Sequence, residues 1–257
     1  MESFDSQLTA KVFSCIDHTT LNATDSDASV EAFCRKALEL QTTNYKLQTI
    51  HVAAVCVYPR FVGVAKRTLE GSPVRVASVA GAFPHGQLPL HLKVEEVRYA
   101  VGEGADEVDI VLSRGALLSG EDTRVRDEVA AMKQACGRSH LKVILETGEL
   151  PTTDLIKRAA DLAIAGGADF IKTSTGKIAV GATPESAEAM LATVADHRQK
   201  TGRTVGFKAA GGIRTPDEAL RYARLAQQTM GDHYLHPATF RIGASSLTEA
   251  LLASVKP

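Results

Sequence analysis

Asp169-Phe170-Ile171-Lys172-Thr173-Ser174-Thr175-Gly176, then a helical stretch from Thr183-Pro184-Glu185 to Lys200, then Val205-Gly206-Phe207-Lys208-Ala209-Ala210-Gly211-Gly212: this segment decides the fold. Each flank is a short strand-like run closed by glycine and small residues. The middle opens with a capping hydroxyl before Pro and an acid, the ordinary start of a helix. Strand, crossover helix, strand is the unit of a parallel sheet. Each strand also carries a lysine where a barrel strand should be apolar. A buried cation costs desolvation energy unless it is paired or sheds its proton. An ordinary lysine has a pKa of roughly 10.4, and lowering it to about 7 takes roughly 4–5 kcal/mol. Burial beside a second cation supplies such a shift and makes the amine a nucleophile, so the pair points to an enzyme.

The same alternation runs outward in both directions. Strands are expected near Val12–Ile16, Val52–Val57, Val74–Val79, Glu107–Leu112, Leu141–Glu146, Asp169–Thr173, Val205–Lys208 and Phe240–Gly243. Helices are expected near Asp27–Leu40, Pro59–Glu70, His91–Glu103, Arg126–Cys136, Thr153–Ala165, Pro184–Lys200, Pro216–Met230 and Ser246–Val255. Eight such units predict an α/β fold of the closed (β/α)₈ TIM-barrel type. An open doubly wound sheet would want a G-x-G-x-x-G after an early strand, and the chain has none. Without a linker or low-complexity stretch, residues 1–257 read as a single domain.

Composition narrows the function. The chain has 257 residues, 44% of them hydrophobic, and a formal net charge of -1. That charge advertises neither nucleic-acid nor anionic-membrane binding, so a bound anion needs a local site. Cys15, Cys34, Cys56 and Cys136 are scattered, without metal-ligand spacing. With no apolar leader in Met1–Cys15 and no membrane-length apolar run, a reduced cytoplasmic chain is expected.

In such a barrel the catalytic groups project from the C-terminal strand ends. Asp17-His18-Thr19-Thr20-Leu21-Asn22, Cys56, Asp109, Glu146, Lys172 and Lys208 all fall near them. Side-chain alternation puts Lys172 on the face of Phe170 and Ser174, Lys208 with the small Gly206 and Ala210, and Asp109 with Glu107. Plainer roles compete. Lys142 reads as a lysine snorkelling at the other barrel end, Cys56 as a small buried hydrophobe, Glu146 equally as cap or catalyst, and His18 and His85 as loop residues. Gly211-Gly212-Ile213-Arg214-Thr215 and Gly243-Ala244-Ser245-Ser246 follow the last two strands, the usual phosphate cradle of this fold, and Gly176-Lys177 adds a third wall. A small phosphorylated metabolite is the expected ligand.

Asp17…Thr19-Thr20-Leu21, Val55-Cys56-Val57-Tyr58-Pro59-Arg60-Phe61, Gly104-Ala105-Asp106-Glu107-Val108-Asp109, Lys142 to Leu150, Phe170 to Lys177, and Gly206-Phe207-Lys208 with Gly211-Gly212 form a set of blocks. Together, in register from about Asp17 to about Leu252, they resemble the deoxyribose-phosphate aldolase family. The resemblance implies a class I aldolase working without metal or cofactor, as a homo-oligomer (dimer or tetramer). Its reaction would be reversible cleavage of 2-deoxy-D-ribose 5-phosphate to D-glyceraldehyde 3-phosphate and acetaldehyde. By the same resemblance Lys172 is the Schiff-base lysine, Lys208 the cation that lowers its pKa, and Asp109 the acid/base group working with a water. Asp17, Thr19, Cys56 and Thr175 are then substrate-pocket residues, and Gly176, Lys177, Gly211, Gly212, Gly243, Ser245 and Ser246 contact the phosphate. Ala209 stands where many members have Pro, and the chain ends at Pro257 without the Tyr-terminated tail of some members. Two other readings stay open: a Schiff-base aldolase with a different donor or acceptor, and a sugar-phosphate-binding barrel without catalysis.

Overall fold

The computed structural model describes residues 2–43 and 49–255. Helix α1 (Glu2–Ser14) leads into β1 (Ile16–Thr19), α2 (Asp27–Glu39), a hairpin of β2 (Gln41–Thr43) and β3 (Thr49–His51), and β4 (Ala54–Val57). Then follow α3 (Val62–Thr68), β5 (Arg75–Ala80), α4 (Leu90–Gly102), β6 (Glu107–Val111), α5 (Arg114–Leu118), α6 (Asp122–Cys136) and β7 (His140–Ile144). The chain ends with α7 (Thr153–Ala165), β8 (Phe170–Lys172), α8 (Pro184–Thr201), β9 (Gly206–Ala210), α9 (Pro216–Met230), β10 (Phe240–Ala244) and α10 (Leu247–Val255). Strand β1 and strands β4 to β10 pair in parallel, and β1 closes the ring by pairing with both β10 and β4. This is the eight-stranded barrel that the alternation predicts.

Alternation along each strand divides the buried residues into two sets. Ile16, Val55, Val57, Val76, Val108, Ile110, Val143, Ile171, Phe207, Phe240 and Ile242 pack outward into the large cluster shared with the helices. Burying each such side chain contributes about 1.5–3 kcal/mol, so this shell is the main source of stability. A second, smaller cluster of Leu21, Ala54, Cys56, Ala77 and Val79 lies inside, on the β4–β5 side. The helix starts follow their capping residues. Thr152 accepts the Leu155 N–H, and Thr183 and Thr215 form reciprocal capping boxes with Ser186 and Glu218.

The N-terminal expectation fails. Val12 and Phe13 belong to α1, not to the first strand, which starts at Ile16. Leu8, Val12 and Phe13 are buried at helical spacing, and α1 packs on α9 and α10. A β-branched residue beside an aromatic imitates a strand when only five residues are read. Short α5 and the β2–β3 hairpin also lie outside the predicted alternation, and Pro59–Phe61 forms a 3₁₀ turn ahead of α3.

Candidate active site

Among the described residues, seven ionisable side chains meet inside the barrel with almost no solvent contact: Asp17, Glu107, Asp109, Lys142, Lys172, Lys208 and Arg241. Each comes from an inward position of β1, β6, β7, β8, β9 or β10. Asp109 is the hub. Its Oδ2 accepts from Lys172 Nζ and from Lys208 Nζ, each at 2.8 Å, and its Oδ1 from Lys142 Nζ at 2.9 Å. Lys208 also donates to Asp17 Oδ2 at 2.5 Å. Lys142 reaches Glu107 at 2.5 Å and Asp17 at 3.8 Å. Arg241 bridges Asp17 at 2.5 Å and Glu107 at 2.6 Å. From the solvent side, half-exposed Arg75 touches Glu107 at 3.1 Å.

Counting charges singles out one group. Within the closed interior, three carboxylates face four bases, so ionising every group leaves one cation in excess. Lys208, Lys142 and Arg241 each lie against at least two carboxylates, whereas Lys172 has Asp109, which it shares. Burial pulls the Lys172 pKa down, Lys208 pulls it further, and Asp109 only partly offsets them, so it sits below the usual lysine value. For Lys208 burial acts in the same direction, but Asp109 and Asp17 outweigh it and hold the ammonium. Lys142 is likewise held charged against burial by Asp109 and Glu107. Burial would raise Asp109, yet Lys142, Lys172 and Lys208 keep it well below the carboxylate range. Of the four interior bases, Lys172 is therefore the one that gives up a proton most readily.

Above this cluster, a pocket of about 310 Å³ opens at the C-terminal strand ends. Its lining includes Lys172, Thr19, Thr175, Gly176, Lys177, Gly211, Gly212, Gly243, Ser245 and Ser246, which brings nine of the expected substrate residues together with Lys172 around one pocket. Lys177 and Arg214 add cations, and the lining contains no Asp or Glu. Such a lining can hold an anion. Glycine is required where the β8 and β9 loops nest: a Cβ on Gly211 (φ 86°) would lie 3.0 Å from Gly181 Cα and 3.3 Å from Ser174 Cβ. Lys177 spans the mouth, donating from Nζ to the Leu21 carbonyl. Helix α10 begins just past Ser245-Ser246, so the free N–H groups of its first turn belong to this edge.

Not every expected residue is at the surface of the pocket. Asp17 and Cys56 do not line it; both are completely buried. Asp17 acts as the second anchor of Lys208. Cys56 joins the inner apolar cluster, and burial, with Asp109 nearby, raises its thiol pKa, which disfavours a thiolate. Lys142 does not snorkel to the other barrel end, because Glu107 and Asp109 satisfy it inside. His18 lies on strand β1, buried, stacked on Phe33 at 4.0 Å and bonded to Thr248, rather than in a loop. Gly206 makes room for the Phe170 ring, which would lie 2.2 Å from an added Cβ; the glycine beside Lys208 is Gly243. Arg241 has no counterpart among the expected residues. Its signal was available: an arginine in a strand, flanked by Phe240 and Ile242. The three interior carboxylates are each bonded to lysine or arginine, so they do not form a free ligand set for a metal ion.

Comparison with known proteins agrees with this geometry. A family model described as DeoC/LacD family aldolase matches residues 11–253. A Caenorhabditis elegans protein, named as a candidate deoxyribose-phosphate aldolase, is 47% identical over 244 residues, covering 94% of this chain and 80% of that one. A solved Coccidioides immitis structure, described in the same way, superposes with a TM-score of 0.79 at 30% identity, covering 94% of this chain and 85% of that one. The deoxyribose phosphate aldolase of Aeropyrum pernix, described as a tetramer, gives a TM-score of 0.73 at 27% identity over 97% and 96% of the two chains. Since the matched region takes in all eight barrel strands and every residue of the charged interior, the chain belongs to the DeoC/LacD family of aldolases.

Proposed function

We propose that this aldolase reversibly cleaves 2-deoxy-D-ribose 5-phosphate to D-glyceraldehyde 3-phosphate and acetaldehyde through a Schiff base on Lys172. The observation that carries the reading is the odd cation: Lys172 is the interior base with least carboxylate support, and it opens into a pocket lined by cations and glycine loops. Family membership removes the non-catalytic binder considered from the sequence.

The neutral Lys172 amine attacks C1 of the open-chain sugar. Asp109, 2.8 Å away, is placed to take the amine proton and, with a water, to help expel the carbinolamine hydroxyl as water. The resulting iminium is an electron sink. Removal of the C3 hydroxyl proton sends the C2–C3 bonding pair toward nitrogen, releasing glyceraldehyde 3-phosphate and leaving C1 and C2 as the enamine of acetaldehyde. Protonation at C2 and hydrolysis return the amine. Lys208 stays charged throughout, disfavouring reprotonation of Lys172 between turnovers. Phosphate binding at Gly176, Lys177, Gly211, Gly212, Gly243, Ser245 and Ser246 aligns C1 with the amine.

The proposal also takes residues 1–257 as one domain acting in the cytoplasm as a homo-oligomer, dimer or tetramer. Among the described residues, no helix is long and apolar enough to cross a membrane. The decisive experiment is a coupled assay for glyceraldehyde 3-phosphate released from 2-deoxyribose 5-phosphate, with chelator present. Release with Lys172 trapped by borohydride and acetaldehyde supports the reading. Trapping without release would point to a different acceptor, and absence of both would overturn it.

A further inference from the structure

Glu146 stands outside the charged cluster and outside the pocket lining, yet the chain supports it in an unusual conformation. It follows β7, is completely buried, and has φ 55° and ψ 59°, a left-handed backbone that non-glycine residues rarely adopt. Such strain persists only where the surroundings hold it, and it gathers at functional sites. The conformation turns the carboxylate toward the loop after β8. Its Oε1 accepts the Thr175 backbone N–H at 3.1 Å, and its Oε2 accepts the Thr175 hydroxyl at 2.5 Å. That hydroxyl in turn accepts the Lys177 backbone N–H at 3.0 Å. Adjacent contacts lock the same pair of loops. Thr147 N–H donates to the Thr173 carbonyl at 2.9 Å, and Gly148 lies so close to Val180 that an added Cβ would be 2.4 Å from its carbonyl oxygen.

The direction of these hydrogen bonds matters. A carboxylate only accepts, so the Thr175 hydroxyl proton must point to Glu146 and its lone pairs must face Lys177. The turn over Gly176 and Lys177 is then held in one polarity. We propose that Glu146 is a positioning residue that acts through Thr175 to fix the Gly176–Lys177 turn, and so sets the enzyme's affinity for a phosphate group. This rests on the anion-binding role assigned to that turn above. It predicts discrimination between phosphorylated and unphosphorylated sugars without a change at Lys172.

Glu146→Gln keeps size and shape but puts an amide donor against a donor. The first readout is calorimetric binding of inorganic phosphate to the full chain. The wild type binds it, and the variant binds it about tenfold more weakly, as expected for losing one charge-assisted hydrogen bond. The second is kinetic: KM for 2-deoxyribose 5-phosphate rises by a similar factor, while kcat/KM for unphosphorylated 2-deoxyribose and the pH dependence of acetaldehyde trapping stay unchanged. Should Glu146→Gln fail to fold, Thr175→Val cuts the same relay at its middle and is expected to weaken phosphate binding at least as much, since Thr175 also lines the pocket. Where both fold, the double variant should cost no more than the worse single. Equal phosphate affinity in wild type and variant, no phosphate binding by the wild type, or an equal loss on both sugars would overturn the proposal. Phosphate binding with no cleavage of 2-deoxyribose 5-phosphate would instead reject the proposed reaction and leave the positioning role standing.

Discussion

Replacing Lys208 with Met tests the central electrostatic argument. Lys172 and Lys208 both donate to Asp109 Oδ2 at 2.8 Å, so their nitrogens lie no farther apart than twice that distance. Two unit charges about 5 Å apart repel by about 3 kcal/mol at an effective dielectric constant of about 20, which equals about two pKa units. The variant keeps every carboxylate supported: Asp17 retains Arg241, and Asp109 retains Lys142 and Lys172. Three carboxylates then face three bases, and the interior is neutral only when Lys172 is protonated. The expected result is an upward move of about two units in the pH midpoint for trapping Lys172 with acetaldehyde and borohydride, with slower trapping at pH near 7, by at most about a hundredfold. Single-turnover trapping read by intact mass across a pH series measures it, with near-ultraviolet circular dichroism confirming the fold. A folded variant whose midpoint does not move would refute the reasoning, because Lys208 would then not be what helps burial lower the Lys172 pKa.

Lys172→Ala should abolish both trapping and turnover. It removes the excess cation, so its urea midpoint should not fall; a large loss of stability would show that Lys172 is a paired structural charge. Acid should unfold the protein through its interior carboxylates. Asp17, Glu107 and Asp109 are all held below their usual values by lysine and arginine neighbours that outweigh burial. The unfolded chain therefore binds more protons as pH falls below about 4, and stability drops by up to about 1.4 kcal/mol per pH unit for each group. Glu107→Gln should reduce that slope by about a third in urea melts taken through this window. His18 acts at higher pH. Burial, aided by Lys36, lowers it from 6.5 to about 4, so it is neutral when folded and protonates first when unfolded. Stability should fall by about 3 kcal/mol between pH 6.5 and pH 4 on its account, and a His18→Phe variant that kept the full decline would sink this assignment.

Much of this protein is legible without coordinates because the signals are local. Capping hydroxyls before Pro184 and Pro216 mark helix starts, since a cap depends on residues three positions apart. Lysines in the short strands at Phe170 and Phe207 announce themselves because desolvation makes such placements rare. The glycine pair after β9 and the Gly176-Lys177 turn predict an anion site, and all four residues line the pocket. Local signals also mislead: Val12 and Phe13 look like strand and are helix, because the partners that bury them, α9 and α10, lie at the other end of the chain.

By itself the sequence determined the alternation of elements, the inward phase of Lys172, Lys208 and Asp109, and the loops that carry glycine and serine. Which base is left with the least carboxylate support was settled by the closed barrel. Arg241 on β10 reaches Asp17 on β1 and Glu107 on β6, strands far apart in the chain, while Lys142 reaches Glu107 and Asp109 on the neighbouring β6. A pKa depends on the sum of charges within a few ångströms in a low-dielectric interior, and that sum exists only once the barrel has closed.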